Sequence, residues 1–278
     1  MQTGEPSRTA LGAAVYRAHH QVSDAGRIFH DPLAVPIIGG MPALTDSFFD
    51  RDTDGRIRLL VAARSRFAED ALAEAVAAGT EQAVILGAGL DTFAYRNPHP
   101  RLRVFEIDHP DTQAWKRKRL HEADIPVPPS ITYVPIDFEH QTLDEVVAAT
   151  DFDPARPAFV TWLGVTVYLT RPAITSTLRY LGSMTAGSQL VLDYAEPVIP
   201  ATPEEHAAAE FRKQRLSQIN ERWRSFFTPP EMAAELQHDG FDVVEDLGLA
   251  AATIRYTGAP AKTPERPGPH VLRAVVRG

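Results

Sequence analysis

The chain is expected to fold as an α/β protein around a seven-stranded, mostly parallel sheet with helices on both faces. Short apolar runs alternate with helical patterns along most of the 278 residues, which is the rhythm of strand–helix–strand units. The first of those runs ends in the glycine turn Gly87-Ala88-Gly89. The composition, 44% hydrophobic and 23% charged, is that of an ordinary globular protein, and the length can bury a sizeable core without cross-links.

Taken in order, residues 13–20 predict a short helix, followed by an irregular stretch through His30-Asp31-Pro32. Residues 55–78 predict a long helix, because Ile57, Leu60, Val61, Phe67, Ala68, Ala71, Leu72, Ala75 and Val76 recur at helical spacing; Gly79 stops it. Strands are expected at 83–86, 103–107, 131–136, 158–162, 189–192, 241–247 and 271–276. Helices are expected at 110–121, 143–149, 172–181 and 230–239, the third with Pro172 in its first turn, where a missing N–H costs little. Residues 197–228 interrupt the alternation with a helical insert, polar over 204–224, and residues 257–269 predict an exposed Pro- and Gly-rich loop. The organisation expected is an N-terminal cap over 1–54 and a main unit over 55–278, together one structural domain.

Several function classes are excluded or disfavoured. The chain has no cysteine, which removes disulfides, thiolate catalysis and cysteine zinc sites. His19, His20 and His30 do not have the spacing of a metal site, and no metal is expected. No apolar run reaches the ~18–20 residues of a membrane helix, and the first ten residues lack a secretion pattern; the expected setting is the cytoplasm. A net charge of −8 disfavours general nucleic-acid binding.

The glycine turn is the strongest local feature. A buried strand running into glycines at the carboxyl edge of a parallel sheet marks a ligand crevice. Asp108 follows Gly87 by 21 residues, the distance at which an acid at the next strand tip accepts ribose hydroxyls. Nicotinamide dinucleotides and S-adenosylmethionine share this arrangement. Here Thr92 replaces the third glycine of the dinucleotide pattern, and Asp91 places a carboxylate where a pyrophosphate would need donors, which favours S-adenosylmethionine. Asp137-Phe138, after the third strand, offers an acid and an aromatic ring for adenine, or a simple turn. Arg64 falls in the apolar stripe of the 55–78 helix, so it must be paired. Its partner is a ligand carboxylate or an internal acid, or the long side chain snorkels outwards to solvent; Arg66, with Asp70 four residues on, is an ordinary surface pair.

Together Ala63-Arg64-Ser65-Arg66-Phe67, Leu86-Gly87-Ala88-Gly89-Leu90-Asp91-Thr92, Tyr95-Arg96, Phe105-Glu106-Ile107-Asp108-His109-Pro110, Asp137-Phe138 and Gly164-Val165-Thr166-Val167-Tyr168-Leu169-Thr170 resemble the leucine carboxyl methyltransferase family, its bacterial members above all. The likeness extends to Arg17-Ala18-His19, Asp31-Pro32-Leu33-Ala34 and Gly240-Phe241. It implies a class I methyltransferase, Rossmann-like fold and S-adenosyl-L-methionine as cofactor, leaving as S-adenosyl-L-homocysteine. It implies a cofactor set of Arg64 for the carboxylate, Gly87, Ala88, Gly89 and Asp91 in the turn, Asp108 for the ribose, and Asp137 and Phe138 for adenine. Leu163 stands where eukaryotic members carry a glutamate.

Methyl transfer needs alignment of nucleophile, methyl and sulfur. A carboxylate acceptor is already ionised, whereas a hydroxyl needs a base, most often histidine. The resemblance places the N-terminal region over the crevice, so Arg17 and His20 are candidates to hold substrate and His20 the candidate base. Tyr168, Tyr194 and Trp223 are candidate acceptor-pocket residues, or core and docking aromatics. The expected activity is O-methyl transfer to a carboxylate or hydroxyl of a small molecule, as in secondary metabolism. The alternatives are a protein or peptide C-terminal carboxyl methyltransferase and an NAD-dependent oxidoreductase.

Overall fold

The computed structural model describes residues 7–40, 55–137, 141–197, 202, 206, 223–258 and 267–278. Its elements run α1 (Arg8–Ser23), α2 (Ala34–Ile38), α3 (Arg56–Ala77), β1 (Gln82–Leu86), β2 (Arg103–Asp108), α4 (Pro110–Glu122), β3 (Ile131–Pro135), α5 (Leu143–Ala148), β4 (Phe159–Trp162), α6 (Arg171–Gly182), β5 (Gln189–Ala195), α7 (Pro229–His238), β6 (Phe241–Gly248), α8 (Leu249–Thr257) and β7 (Pro269–Val276).

The seven strands form one sheet in the order β3-β2-β1-β4-β5-β7-β6. The strands β1 to β5 are parallel, and β7 runs antiparallel between β5 and β6. The strand order reverses between β1 and β4, so the crevice of the sheet opens there. Every residue of the central β1 is buried, as an unbroken apolar run requires. The edge strand β6 mixes buried and exposed positions.

Two apolar cores flank the sheet. On one face Ala14 and Val15 of α1, Ile37 of α2, Phe67 and Leu72 of α3, Leu120 of α4 and Ala252 of α8 pack on Ile85, Val104 and Val191. On the other, Leu143 of α5, Leu178 of α6 and Leu236 of α7 pack on Val84, Phe105 and Leu190. Helix starts follow local chemistry. The Thr170 hydroxyl accepts the Ala173 N–H at α6, and Thr228 and Glu231 form a reciprocal capping box at α7.

The structure extends the expected first helix to Arg8–Ser23 and adds α2 and α8. Of the expected helical insert, only residues 197, 202, 206 and 223–228 are described. The described part of the loop expected over 257–269 opens with Thr257, the last residue of α8, and closes with Pro269, the first of β7.

Gly182 ends α6 directly against the backbone after α7. A Cβ there would overlap the Asp239 carbonyl oxygen, which is backbone and cannot swing away. Gly182→Ala is therefore expected to cost about 3 kcal/mol, the upper end of ordinary overpacking. Urea unfolding measures it, and a loss below about 1 kcal/mol would contradict this packing.

Candidate cofactor and acceptor site

After β1 the chain turns through Gly87, at φ +63°, in the left-handed region. A side chain on Gly87 would collide with Val165 Cγ2, from the segment after β4, and one on Gly89 would press on Ala10 of α1 at 3.0 Å. The turn is thus enclosed from two sides by protein, which leaves no room for a side chain at either glycine.

The N–H groups of this turn are already used. Gly87 and Ala88 both donate to the Ile107 carbonyl, at 2.8 and 3.2 Å. The Gly89 N–H donates to Asp108 Oδ2 at 2.5 Å. The turn then passes into a single 3-10 turn at Phe93–Tyr95, not into the N-terminus of an α-helix. A pyrophosphate needs free N–H groups and a helix dipole; neither is offered here. This bears against the dinucleotide alternative and suits a ligand without phosphates. The carboxylate of Asp91 accepts the Phe93 N–H at 2.8 Å, two residues on.

Asp108 ends β2 beside this turn. Its second oxygen accepts the His109 N–H at 2.7 Å. Burial pushes its carboxyl above the usual range, and the two N–H donors oppose that. The other acid of the strand, Glu106, is fully buried and bound to Lys116 Nζ at 2.9 Å and the Tyr95 hydroxyl at 3.0 Å. It belongs to the interior, not the crevice. Asp137 follows β3 at the neighbouring tip, where the Ile136 N–H bonds the Asp108 carbonyl. Phe138 lies outside the described residues. Leu163, just after β4, is half-buried and packs on the first core.

The guanidinium of Arg64 reaches the tips of β4 and β5. Nη1 pairs closely with Asp193 Oδ2, and Nη2 lies against Gly164. Asp193 Oδ1 accepts the Gly164 N–H at 2.6 Å. Both side chains of the pair keep 13% exposure, so it sits at the crevice lip. The internal acid expected as one of two possible partners is therefore Asp193.

Beneath the turn lies a buried network. Asp31 is wholly buried. Its Oδ2 accepts Arg17 Nε at 2.8 Å and the Thr92 hydroxyl at 2.7 Å. Its Oδ1 accepts the Leu33 N–H at 3.0 Å and stands 3.4 Å from Arg96 Nε. Arg17 also donates to the Leu90 carbonyl at 2.5 Å, and Arg96 grips Glu69 of α3 with both terminal nitrogens. Burial pushes the Asp31 carboxyl upward, but the two guanidiniums outweigh it and hold it below its ordinary value. Arg17 is thus 6% exposed, with Nε and Nη2 bonded to protein beneath the glycine turn, where it was expected to hold substrate.

Two further expectations are corrected by direction. His20 is wholly buried. Its Nδ1 bonds Asp24 at 3.0 Å, and Nε2 accepts the N–H groups of Ile28 and Phe29 at 3.2 and 3.3 Å. Burial lowers its pKa. With both nitrogens committed, it pins the chain returning after α1 and is not placed as a base. Tyr194 points into the second core, stacks on His270 at 4.9 Å and donates to Asp246 at 2.6 Å. Tyr168 and Trp223 lie on segments joined by a backbone hydrogen bond, and the Trp223 ring packs against Phe226 at 6.0 Å. Tyr168 lies half-buried on the 3-10 turn after β4, and the Arg224 N–H donates to the Val167 carbonyl at 2.7 Å.

Sequence reasoning missed Asp193, Gly164 and Val165 as parts of this site. The signal for Asp193 was an acid near the end of the fifth strand, at the edge where ligands bind. Among the described residues there is no group of three His, Asp or Glu side chains fit to hold a metal ion, and no helix long and apolar enough to cross a membrane.

The chain is 31% identical over 274 residues to the Bacillus subtilis (strain 168) protein named "Putative S-adenosyl-L-methionine-dependent methyltransferase YktD", covering 89% of this chain and 90% of that one. In fold it resembles a DUF574 family protein from Streptomyces avermitilis (TM-score 0.60, 19% identity, 96% and 97% of the two chains). It also resembles magnesium protoporphyrin IX methyltransferase from Synechocystis PCC 6803, whose structure holds S-adenosylhomocysteine (TM-score 0.51, 13% identity, 96% and 99% covered). The family model described as leucine carboxyl methyltransferase matches residues 10–182, which take in most of α1, the glycine turn, Asp108 and the segment after β4. The chain belongs to the leucine carboxyl methyltransferase family.

Proposed function

We propose that this S-adenosylmethionine-dependent methyltransferase transfers its methyl group to the oxygen of a small carboxylic acid or hydroxyl compound, with a carboxylate as the preferred acceptor. The observation that carries the preference is the His20 ring, whose two nitrogens are both taken up by the protein. A carboxylate is ionised at neutral pH and needs no base; it needs only to be held in line.

Bound S-adenosylmethionine supplies a methyl carbon made electrophilic by the sulfonium. That methyl group would be supplied to an acceptor oxygen held in line with it, with S-adenosylhomocysteine as the product. In this reading the Asp108 carboxylate accepts the ribose hydroxyls, Asp137 and Phe138 take the adenine, Arg64 holds the methionyl carboxylate, and Gly87 lets the backbone lie against the ligand. Leu163 contributes an apolar wall. Tyr168 and Trp223 flank the acceptor edge and exclude water from it.

The test is methyl transfer from radiolabelled S-adenosylmethionine to three sets of acceptors: small carboxylic acids, small phenols and alcohols, and peptides with free or amidated C-termini. Mild alkali then distinguishes esters, which release methanol, from ethers, which do not. Alkali-labile label on small acids is the expected result. Label confined to free-C-terminus peptides would favour a peptide C-terminal carboxylate as acceptor, and label stable to alkali would move the acceptor to a hydroxyl.

A further inference from the structure

Asp193 belongs to no part of the cofactor set implied by the family resemblance, yet it stands beside Arg64 at the tips of β4 and β5. Among the described residues its two oxygens are each engaged once, Oδ1 by the Gly164 N–H at 2.6 Å and Oδ2 by Arg64 Nη1. A carboxylate oxygen has two lone-pair positions, so each retains one. The pair is partly open to solvent. It is therefore an accessible plus–minus unit held on a fixed backbone, not a sealed core ion pair.

That arrangement bears on what it can bind. A ligand bringing only a carboxylate to Arg64 would compete with Asp193 for one guanidinium and would set two negative charges side by side. A ligand bringing an ammonium as well meets both charges without breaking the pair. The carboxylate adds to Arg64 while the ammonium adds to the free lone pairs of Asp193. The α-amino acid end of the cofactor is such a zwitterion.

We infer that Arg64 and Asp193 together form a zwitterion clamp, in which Asp193 binds the methionyl ammonium group while Arg64 takes the adjacent carboxylate. Asp193 thereby supplies an acidic contact that Leu163, an apolar residue just after β4, does not. The inference rests on the cofactor reading above, and its test separates the two.

Three ligands titrated calorimetrically into the full chain provide the test: S-adenosylhomocysteine, its analogue lacking the amino group, and 5′-methylthioadenosine, which lacks the whole amino acid end. The unaltered protein is expected to bind S-adenosylhomocysteine about tenfold or more tightly than the deaminated analogue, the scale of one hydrogen bond to a charged group. Asp193→Asn preserves an oxygen for the Gly164 N–H and removes the charge. It is expected to weaken S-adenosylhomocysteine about tenfold or more and to leave 5′-methylthioadenosine within twofold. Equal losses for both ligands would mean that Asp193 only shapes the site, and no loss for either would mean that it does not touch the ligand; each overturns the clamp. Equal affinity of the unaltered protein for S-adenosylhomocysteine and the deaminated analogue overturns it without any variant. If the unaltered protein binds none of the three, the cofactor reading fails and the clamp with it.

Discussion

Asp31→Ala is expected to lower the unfolding free energy by about 3–5 kcal/mol, the cost of stranding buried charges by removing one partner. Asp31 is wholly buried and answers Arg17, Arg96, the Thr92 hydroxyl and the Leu33 N–H at once. Without it, among the described residues, Arg17 keeps the Leu90 carbonyl, and Arg96 keeps Glu69 and the Thr92 oxygen. Asp31→Asn should cost less, because the amide still offers one oxygen to these donors. Urea unfolding of both variants measures the difference. A loss under about 1 kcal/mol for the alanine variant would show that the network is not the N-terminal anchor its geometry describes.

Asp108→Ala is expected to weaken S-adenosylhomocysteine binding about 100-fold or more. Two ribose hydroxyls donating to one carboxylate are two charge-assisted hydrogen bonds, each worth about 1.5–3 kcal/mol. The substitution also frees the Gly89 N–H, which loosens the turn that the ligand lies on. A partly exposed position limits the accompanying loss of stability, so calorimetric affinity and the unfolding midpoint should separate: a large change in the first, a small one in the second. Unchanged affinity would remove Asp108 from the ribose site.

Much of the architecture was legible because it is written locally. The buried β1 reads as an apolar run, the long α3 as a helical stripe, and the glycine turn as a break between strand and loop. The short α2 and α8 were not legible, since five or nine residues carry too little periodicity to distinguish from loop. The site divides in the same way. Gly87 and Asp108 are positioned by the strands that precede them, and the spacing between them reports that. Directions set by distant partners cannot be read locally. Arg64 and its acid Asp193 are 129 residues apart and meet only when α3 packs over β5. His20 presents a free ring to a sequence reader because Ile28 and Phe29 turn back onto it only in three dimensions. Tyr194 is turned inward by its pairing with His270 across the antiparallel β5–β7 ladder, which a parallel reading of the sheet does not foresee.

The network that ties α1 to the glycine turn also limits how this protein can be re-engineered. Ala10 touches the turn at Gly89, and Arg17 and Asp31 reach Leu90, Thr92 and Arg96 behind it. The N-terminal segment is thus not an interchangeable module that could be swapped with a relative's to import a new acceptor preference. A chimera joined after residue 54 would inherit half of a buried charge network from each parent. Any transplant must carry Arg17, Asp31, Thr92, Arg96 and Glu69 as one unit.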